Sequence, residues 1–318
     1  MENILKKKQI KSKRRHLSRT GYLYDLKMNY NLYLMILPVA LGFIIFHYLP
    51  MYGIIIAFKD YDLIKGYMSS PWVGLKHFIS FAKDPYFPRV VRNTFILGFY
   101  SLLWGFWPPI VLALLLNEVK DGYFKRITQT ISYFPHFISV VVIVGMMMEM
   151  LGPKGFVNNL LNAWGKDSIA FFNDAKYFRM LYILSGIWQG IGWSSILYLA
   201  TLSGVDQELY EAAYIDGANR FQRVWHISLP SIMPTITILL ILNTANIIDV
   251  GFEKVYLMSN PSLYETADVI QTYVYRRGII NKNFSYATAI GLMNSIIAFL
   301  LLYVANFISR KKGETSLW

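Results

Sequence analysis

Amide, aromatic and carboxylate side chains recur at helical spacing in two apolar stretches of the chain. Gln189 and Trp193 are i, i+4 partners in the first stretch. Asn243 and Asn246 are i, i+3 partners in the second, and Asp249 follows about one turn later. Amides donate and accept hydrogen bonds and an aromatic plane packs on C–H groups, so the set predicts a site for a polar organic molecule. The alternative is that the asparagines join helices and that the tryptophan simply packs.

The residue types of common catalytic and metal centres are absent or scattered. The chain has no cysteine, so thiolate metal sites and disulfides are excluded. No nucleophile elbow occurs, and no G-x-x-x-x-G-K-[ST] run is present to bind ATP phosphates. The histidines lack the spacing of metal ligands: His16, His47, His77, His136 and His226. The sequence therefore predicts no catalytic residue, no metal site and no cofactor bound by this chain.

The composition predicts a membrane protein. The chain has 318 residues, of which 55% are hydrophobic and 16% are charged, whereas soluble domains carry about 25% charged residues. Apolar runs long enough to cross about 30 Å of hydrocarbon occur at residues 32–58, 95–116, 127–150, 181–202, 232–250 and 286–308. We therefore predict an all-α membrane protein with six transmembrane helices.

The two ends of the chain predict its orientation. Nine of the 31 lysines and arginines lie in the first 30 residues, and no cleavable signal peptide is recognisable there. We predict a basic cytoplasmic tail at residues 1–30, a six-helix domain at 31–310 and a cytoplasmic tail at 311–318. The lysines and arginines of the loops alone do not favour this orientation, so it depends on the basic tail and on the loop at 205–231. Nucleic-acid binding would also suit the basic tail, but anchoring at a lipid surface explains the same lysines.

The loop at 205–231 has the pattern of two short helices joined by a turn. Asp206 is placed to cap the first helix, and Gly217 supplies a stop with positive φ. Asn219 and Gln222 have the spacing of a capping box for the second helix, and Pro230 is expected to mark the start of the next element. The first helix has a small apolar face and the second a larger one at helical spacing: Leu209, Ala212 and Ala213, then Phe221, Val224, Trp225 and Leu229. Such a hairpin could dock into a groove on another protein.

This loop resembles the EAA loop of the membrane subunits of ATP-binding-cassette (ABC) importers. The family pattern is Glu-Ala-Ala, three residues, Gly, nine residues, Ile-x-Leu-Pro, and the chain fits it without a gap at 211–213, 217 and 227–230. Shorter segments resemble the carbohydrate-uptake branch, at 72–78, 93–94, 113–117, 133–136, 260–261 and 269–273. The resemblance covers roughly residues 30 to 310 and is closest to permeases for oligosaccharides, including fragments of complex polysaccharides.

The resemblance implies the type I ABC importer permease (MetI-like) fold and transport by alternating access across a bacterial cytoplasmic membrane. It implies a second permease subunit, two cytoplasmic ATPase subunits that use ATP and Mg, and an extracellular solute-binding protein. The coupling loop would contact the ATPase through Glu211, Ala212, Ala213, Asp216, Gly217, Leu229 and Pro230. The substrate cavity would lie on the helices before and after this loop, where amides and an aromatic plane suit a sugar: Gln189, Trp193, Asn243, Asn246 and Asp249.

Three alternatives follow from the same residues. Acidic groups near the spans, Asp249 and Glu149, would suit an ion-coupled secondary transporter that acts alone. The 205–231 hairpin could be an ordinary interfacial amphipathic element. The outer tyrosines could contact the binding protein or form an interfacial belt: Tyr256, Tyr264, Tyr273 and Tyr275.

Overall fold

The structure is a computed structural model that describes residues 19–311 and 316–317. Its helices, in chain order, are α1 (Arg19–Met28), α2 (Tyr30–Phe58), α3 (Gly66–Ser69), α4 (Lys76–Ala82), α5 (Phe87–Glu118), α6 (Tyr123–Tyr133), α7 (Val140–Leu151), α8 (Phe156–Ala163), α9 (Ala175–Ser203), α10 (Gln207–Ile215), α11 (Arg220–Ala245), α12 (Phe252–Met258), α13 (Tyr264–Ala267), α14 (Ile270–Tyr275) and α15 (Phe284–Lys311). Within this part of the chain the only β pairing is an isolated bridge between Lys59 and Trp72. The all-helical prediction is confirmed. The predicted boundary at residue 30 stays a prediction, and most of the basic tail lies outside the described residues.

The described residues divide into two compact units, one ending at Ile55 and the other beginning at Ile56. The first unit contains α1 and most of α2. In α2 a π-helical turn at Ile44–Tyr48 precedes Pro50. A π turn removes one i→i−4 bond, which suits a proline because its ring nitrogen has no hydrogen to donate.

Five stretches among the described residues are long and apolar enough to cross a membrane: Tyr30–Phe58, Phe87–Glu118, Val140–Ala163, Arg220–Ala245 and Phe284–Lys311. The sixth predicted span corresponds to α9, which is 29 residues long. Gln189 and several glycines lower its hydropathy, so length and composition alone do not select it. All six predicted apolar runs fall mainly in helices, although the helix ends differ from the predicted ones.

The third predicted span is not one continuous helix. The apolar run at 127–150 predicts an unbroken span, but α6 ends at Tyr133 and a 3₁₀ turn follows at Phe134–Phe137. Helix α7 then begins after Ser139, whose hydroxyl accepts a bond from the Val142 N–H at 3.4 Å. Pro135 and this serine cap end one helix and start the next, which hydropathy cannot register.

The fifth predicted span begins earlier and ends earlier than the apolar run at 232–250. Helix α11 starts at Arg220 and continues past Pro230, so Pro230 does not begin a new element as expected. A π turn at Val224–Ser228 precedes this proline, and the Leu229 N–H donates to the Val224 carbonyl. The helix ends at Ala245 with Asn246 as its C-cap, which leaves Asp249 in the following non-helical segment.

Three buried apolar clusters hold the second unit together. The first joins α5, α7, α9 and α12 through Leu97, Val144, Phe178 and Val255. The second joins α5, α9 and α11 through Ile110, Tyr198, Leu202 and Ile232. The third joins α4, α5, α14 and α15 through Phe81, Val90, Ile270 and Ile290. Large apolar side chains remain exposed on these same helices, including Phe95, Trp104, Val141, Trp188 and Phe299, as expected of surfaces that meet lipid or other subunits.

Candidate functional site: a coupling hairpin and a central cavity

The hairpin at 205–231 has the capped helices that the sequence predicts. Asp206 accepts a bond from the Glu208 N–H at 3.0 Å and thereby caps α10. Gly217 has a φ of 82°, a conformation that costs a residue with a Cβ roughly 1–2 kcal/mol. Asn219 and Gln222 exchange two side-chain to backbone bonds of 2.8 and 2.9 Å, which is a complete capping box.

Polar contacts tie the hairpin to the membrane helices. The Tyr210 hydroxyl lies 2.9 Å from the Ser228 Oγ and joins α10 to the start of α11. Arg223 lies 4.0 Å from Glu118 at the end of α5, and its guanidinium is 5.9 Å from the Tyr214 ring centroid. The Tyr210 and Tyr214 contacts therefore join the two helices of the hairpin, and the Arg223–Glu118 contact links the hairpin to α5.

The outward face of the hairpin carries the unpaired apolar surface. Glu211 and Ala212 are exposed, and so are the large side chains Tyr214, Ile215, Phe221 and Trp225. A shallow depression of about 310 Å³ beside them is lined by Ala213, Asp216, Gly217, Ala218, Gln222, Arg223, His226 and Ile227. The spacing of Leu229 predicts that it shares the apolar face of Phe221 and Trp225. In the structure it instead packs against the second core cluster and is not part of the exposed face.

A cavity of about 570 Å³ lies between α5, α9, α11 and the segment that leads into α12. Four of the five predicted substrate residues line it: Trp193, Asn243, Asn246 and Asp249. Gln189 does not line the cavity. Its amide donates to the Ile138 carbonyl at 3.2 Å, so it satisfies backbone exposed by the break between α6 and α7.

The ring of Trp193, which is predicted to pack on a sugar, is partly covered by neighbouring side chains. Trp193 stacks on His136 with ring centroids 4.4 Å apart and an interplanar angle of 1°, and Phe137 meets it edge-on at 5.7 Å. Trp193 is still about half exposed. The break between α6 and α7 therefore supplies two neighbours, His136 and Phe137, that hold the indole in place, and the exposed part of the indole faces the cavity.

The amides on α11 form a short chain of hydrogen bonds at the cavity wall. Asn243 donates to the Leu239 carbonyl at 2.7 Å and accepts from Asn246 at 3.4 Å. Asp249 accepts from the Gln271 amide at 3.3 Å. These contacts use only part of the hydrogen-bonding capacity of each side chain, so acceptors and donors remain for a polar ligand.

A lysine that the sequence patterns do not single out also lines the cavity. Lys254 is 9% exposed, and its Nζ donates to the Tyr182 carbonyl at 3.0 Å. Burial lowers the pKa of Lys254 to about 8, so the ammonium is the major form at neutral pH. One feature of the sequence could have indicated that Lys254 is buried: it shares one helical face with Met258, an apolar neighbour at i+4.

Two short segments that resemble the carbohydrate-uptake branch meet in space. Thr94 Oγ1 accepts from the Ile270 N–H at 2.8 Å. The Asn93 amide donates to the Glu265 carbonyl at 2.8 Å and to the Asp268 carbonyl at 3.2 Å. Residues 93–94 therefore fix the segment at 265–270 against the start of α5, and their side chains satisfy backbone groups of that segment.

The outer tyrosines do not form one surface. Tyr273 is buried, and its hydroxyl donates to Asp84 at 2.6 Å. Tyr256 is about half exposed and packs with Tyr275, at a centroid distance of 5.2 Å. Arg276 lies over the Tyr264 ring at 4.6 Å. Tyr273 therefore belongs to the core, and neither role that the sequence suggests for it applies.

Comparison with known families identifies the chain. Residues 105–313 match the model of the family described as binding-protein-dependent transport system inner membrane component. The chain belongs to this family. It is a membrane-embedded permease subunit of an ABC transporter, and ATP hydrolysis belongs to a partner ATPase. This membership confirms the predicted family.

Similar proteins cover nearly the whole chain. The chain is 44% identical over 299 residues to Protein LplB of Bacillus subtilis (strain 168), with 94% of each chain covered. It is 44% identical over 288 residues to the polygalacturonan/rhamnogalacturonan transport system permease protein YteP of the same organism, with 90% of each covered. A crystal structure of a bacterial ABC transporter involved in import of the acidic polysaccharide alginate has a TM-score of 0.84 and 42% identity, covering 91% of this chain and 98% of that chain. A second structure shows a bacterial alginate ABC transporter in complex with an alginate pentasaccharide-bound periplasmic protein, with a TM-score of 0.84 and 41% identity, covering 92% and 99%. The type I permease fold is thereby confirmed.

Proposed function

We propose that this chain is one of two permease subunits of an ATP-driven importer for oligosaccharides. It works with two cytoplasmic ATPase subunits and an extracellular solute-binding protein, and its N- and C-termini face the cytoplasm. The family membership and the relatives named for polysaccharide transport support this proposal. The single structural observation that carries it is the capped, tethered hairpin at 205–231, whose large apolar side chains are left exposed by the described residues.

The hairpin suits a groove on an ATPase for three reasons. Ala212 and Ala213 permit close approach of another backbone, and Glu211 projects a carboxylate beside them. The aromatic side chains of Phe221 and Trp225 stack with centroids 6.2 Å apart and offer apolar contact area. The links through Tyr210 and Arg223 allow movement of the ATPase to reach the spans.

The cavity suits a sugar. Sugars present hydroxyl groups that bond to amides and C–H faces that pack on aromatic rings. Asn243 and Asn246 supply the amides, Trp193 the partly exposed ring, and Asp249 a carboxylate acceptor. A partner permease would close the open side of this half-site, and ATP-driven closure of the ATPases would turn it from one face of the membrane to the other.

The alternative of a self-sufficient ion-coupled carrier has no support from the arrangement of its two acidic residues. Glu149 is exposed on α7, whereas Asp249 lines the cavity. They do not form a paired relay, and the hairpin would have no role in such a carrier. Family membership also favours the ATP-driven importer.

The test is recovery of the ATPase with the permease from its native membrane. We expect tagged wild-type protein to co-purify with an ATPase and Glu211→Lys to lose it, because the reversed charge opposes basic groups in the groove. Glu253→Lys is the matched control, since Glu253 is also an exposed glutamate on a short helix but lies outside the hairpin. An ATPase absent from wild type would overturn the importer, whereas one retained equally by Glu211→Lys would remove the coupling role of that glutamate.

A further inference from the structure

The cavity contains a buried cation that the proposed function has not used. Lys254 lies on α12, where Val255 and Met258 pack in the first core cluster and fix the helix. Its ammonium group sits 4.8 Å from the Tyr182 ring centroid, and Tyr182 in turn donates from its hydroxyl to the Val250 carbonyl. The position of the amine is therefore set by packed elements and not by a mobile loop.

The ammonium forms no ion pair with the described residues. Across residues 19–311 and 316–317, no carboxylate lies within 4.0 Å of Lys254. An ammonium has three N–H donors, and the described residues accept one of them, at the Tyr182 carbonyl. A buried charge is costly unless an opposite charge or hydrogen bonds compensate it, so the unmatched cation favours an anionic ligand.

The neighbouring wall keeps space open for the amine. Gly186 lies one turn after Tyr182 on α9, and a Cβ at this position would lie 3.3 Å from the lysine Nζ. A side chain here would press on the ammonium and cover it from the cavity. Gly186 and Lys254 line the cavity together with Asn243, Asn246 and Asp249.

Asp249 does not neutralise the lysine. Its Oδ1 accepts from the Gln271 amide at 3.3 Å, and it forms no ion pair with Lys254. The cavity therefore has one cationic and one anionic position, separated by more than contact distance. Such a wall suits a ligand that has hydroxyl donors for the aspartate and an acidic group for the lysine.

We propose that Lys254 binds a carboxylate of the transported sugar and that the substrate class is acidic, uronate-bearing oligosaccharides. This inference rests on the proposed function and deepens it. A charge-assisted bond between an ammonium and a carboxylate is stronger than a neutral bond, so Lys254 selects the acidic form in the cavity after the binding protein has released it. The alginate importer and the polygalacturonan/rhamnogalacturonan permease are consistent with this class.

The experiment measures import by the complete transporter in proteoliposomes, with both permeases, the ATPases and the binding protein. The probes are oligogalacturonate and alginate oligosaccharides, each beside its carboxyl-reduced neutral form. The measured quantity is the ratio of acidic to neutral uptake. Because every sample contains the same binding protein, its own preference cancels when a variant ratio is divided by the wild-type ratio.

Lys254→Met is the main variant, since it keeps the length of the side chain and removes the charge. We expect it to lower the uptake ratio by roughly tenfold or more, the effect of losing one bond to a charged group. Lys254→Arg is expected to restore most of the ratio. Lys166→Met, at an exposed lysine away from the cavity, is the matched control and should leave it unchanged.

The outcomes separate the two proposals. If wild type imports acidic oligosaccharides and Lys254→Met leaves the ratio unchanged, the inference is wrong and the importer stands. The inference is also wrong, and the importer again stands, if wild type imports only the neutral forms. If wild type imports no oligosaccharide of either kind, the proposed function fails and the inference fails with it. Should Lys254→Met not assemble, Lys254→Gln replaces it, with assembly checked by size-exclusion chromatography.

Discussion

Removing the carboxylate of Asp268 is expected to destabilise the protein far more than removing a carboxylate at the surface. The Asp268 side chain is 0% exposed and pairs with Arg89 at 2.8 Å and with Arg276 at 2.6 Å. Asp268→Ala leaves both guanidinium groups without this partner. Breaking a buried ion pair costs about 3–5 kcal/mol, and the two arginines are 32% and 26% exposed, so water recovers part of the loss. We expect a decrease of about 3 kcal/mol in the free energy of unfolding.

The matched control is Asp60→Ala. Asp60 pairs with Lys76 at 3.1 Å, but the two side chains are 55% and 57% exposed, and an exposed pair contributes about 0–1 kcal/mol. The assay is thermal unfolding of the purified protein in detergent. By the scaling for soluble domains, Asp268→Ala should lower Tm by roughly 6–12 °C and the control by a few degrees at most. Equal shifts for the two variants would refute the argument from burial.

Two further predictions concern the hairpin turn and an outer carboxylate. Gly217→Val should cost about 1–2 kcal/mol of local strain because the φ of Gly217 is 82°. We expect transport to fall while membrane insertion, measured by blotting of the membrane fraction, is retained. Full transport by this variant would contradict the prediction. Burial alone would raise the pKa of Asp84. Hydrogen bonds from Tyr273, the Tyr86 N–H and Tyr286, together with the charge of Arg277, outweigh this effect, so the pKa of Asp84 lies below 3.8. The stability from the Asp84 carboxylate is present above pH 3.8 and is lost as the pH falls through the lower folded-state pKa, so Tm of wild type should fall over this acidic range more steeply than Tm of Asp84→Asn. Parallel curves for the two proteins would count against it.

The membrane helices could be predicted from sequence because each needs a long apolar run, and such runs are visible without a structure. The break at residues 138–139 could not be predicted in this way, because it depends on Pro135 and on the Ser139 cap, and neither residue interrupts the apolar run at 127–150 enough to show in its hydropathy. The local environment of Gln189 could not be predicted for the same reason. Gln189 lies on α9, where the broken backbone opposite presents the Ile138 carbonyl, and the amide bonds to this carbonyl and does not line the cavity.

Lys254 shows the limit for the cavity. A charged residue near a predicted span is visible in the sequence. Whether the charge of Lys254 is paired, exposed or directed into a cavity depends on contacts with α9, some 70 positions earlier in the chain, such as the bond to the Tyr182 carbonyl. The sequence draws attention to acidic residues as candidate ion-coupling groups, whereas the only buried cation on the cavity wall among the described residues has no local signature of that role. Local sequence patterns predict helices and caps, but cavities are made by contacts between distant segments.

The wrong expectation at Pro230 has a functional consequence. If a new element began there, the hairpin and the cavity would be joined by a flexible connection. Instead α11 runs from Arg220 to Ala245, so the second helix of the hairpin and the helix that carries Asn243 are one element, about 39 Å long at 1.5 Å per residue. The π turn at Val224–Ser228 and Pro234 are the points at which this element can bend. Displacement of the hairpin by an ATPase would therefore reach the cavity wall along a single helix, and the bend points would decide how much of the motion becomes rotation of Asn243.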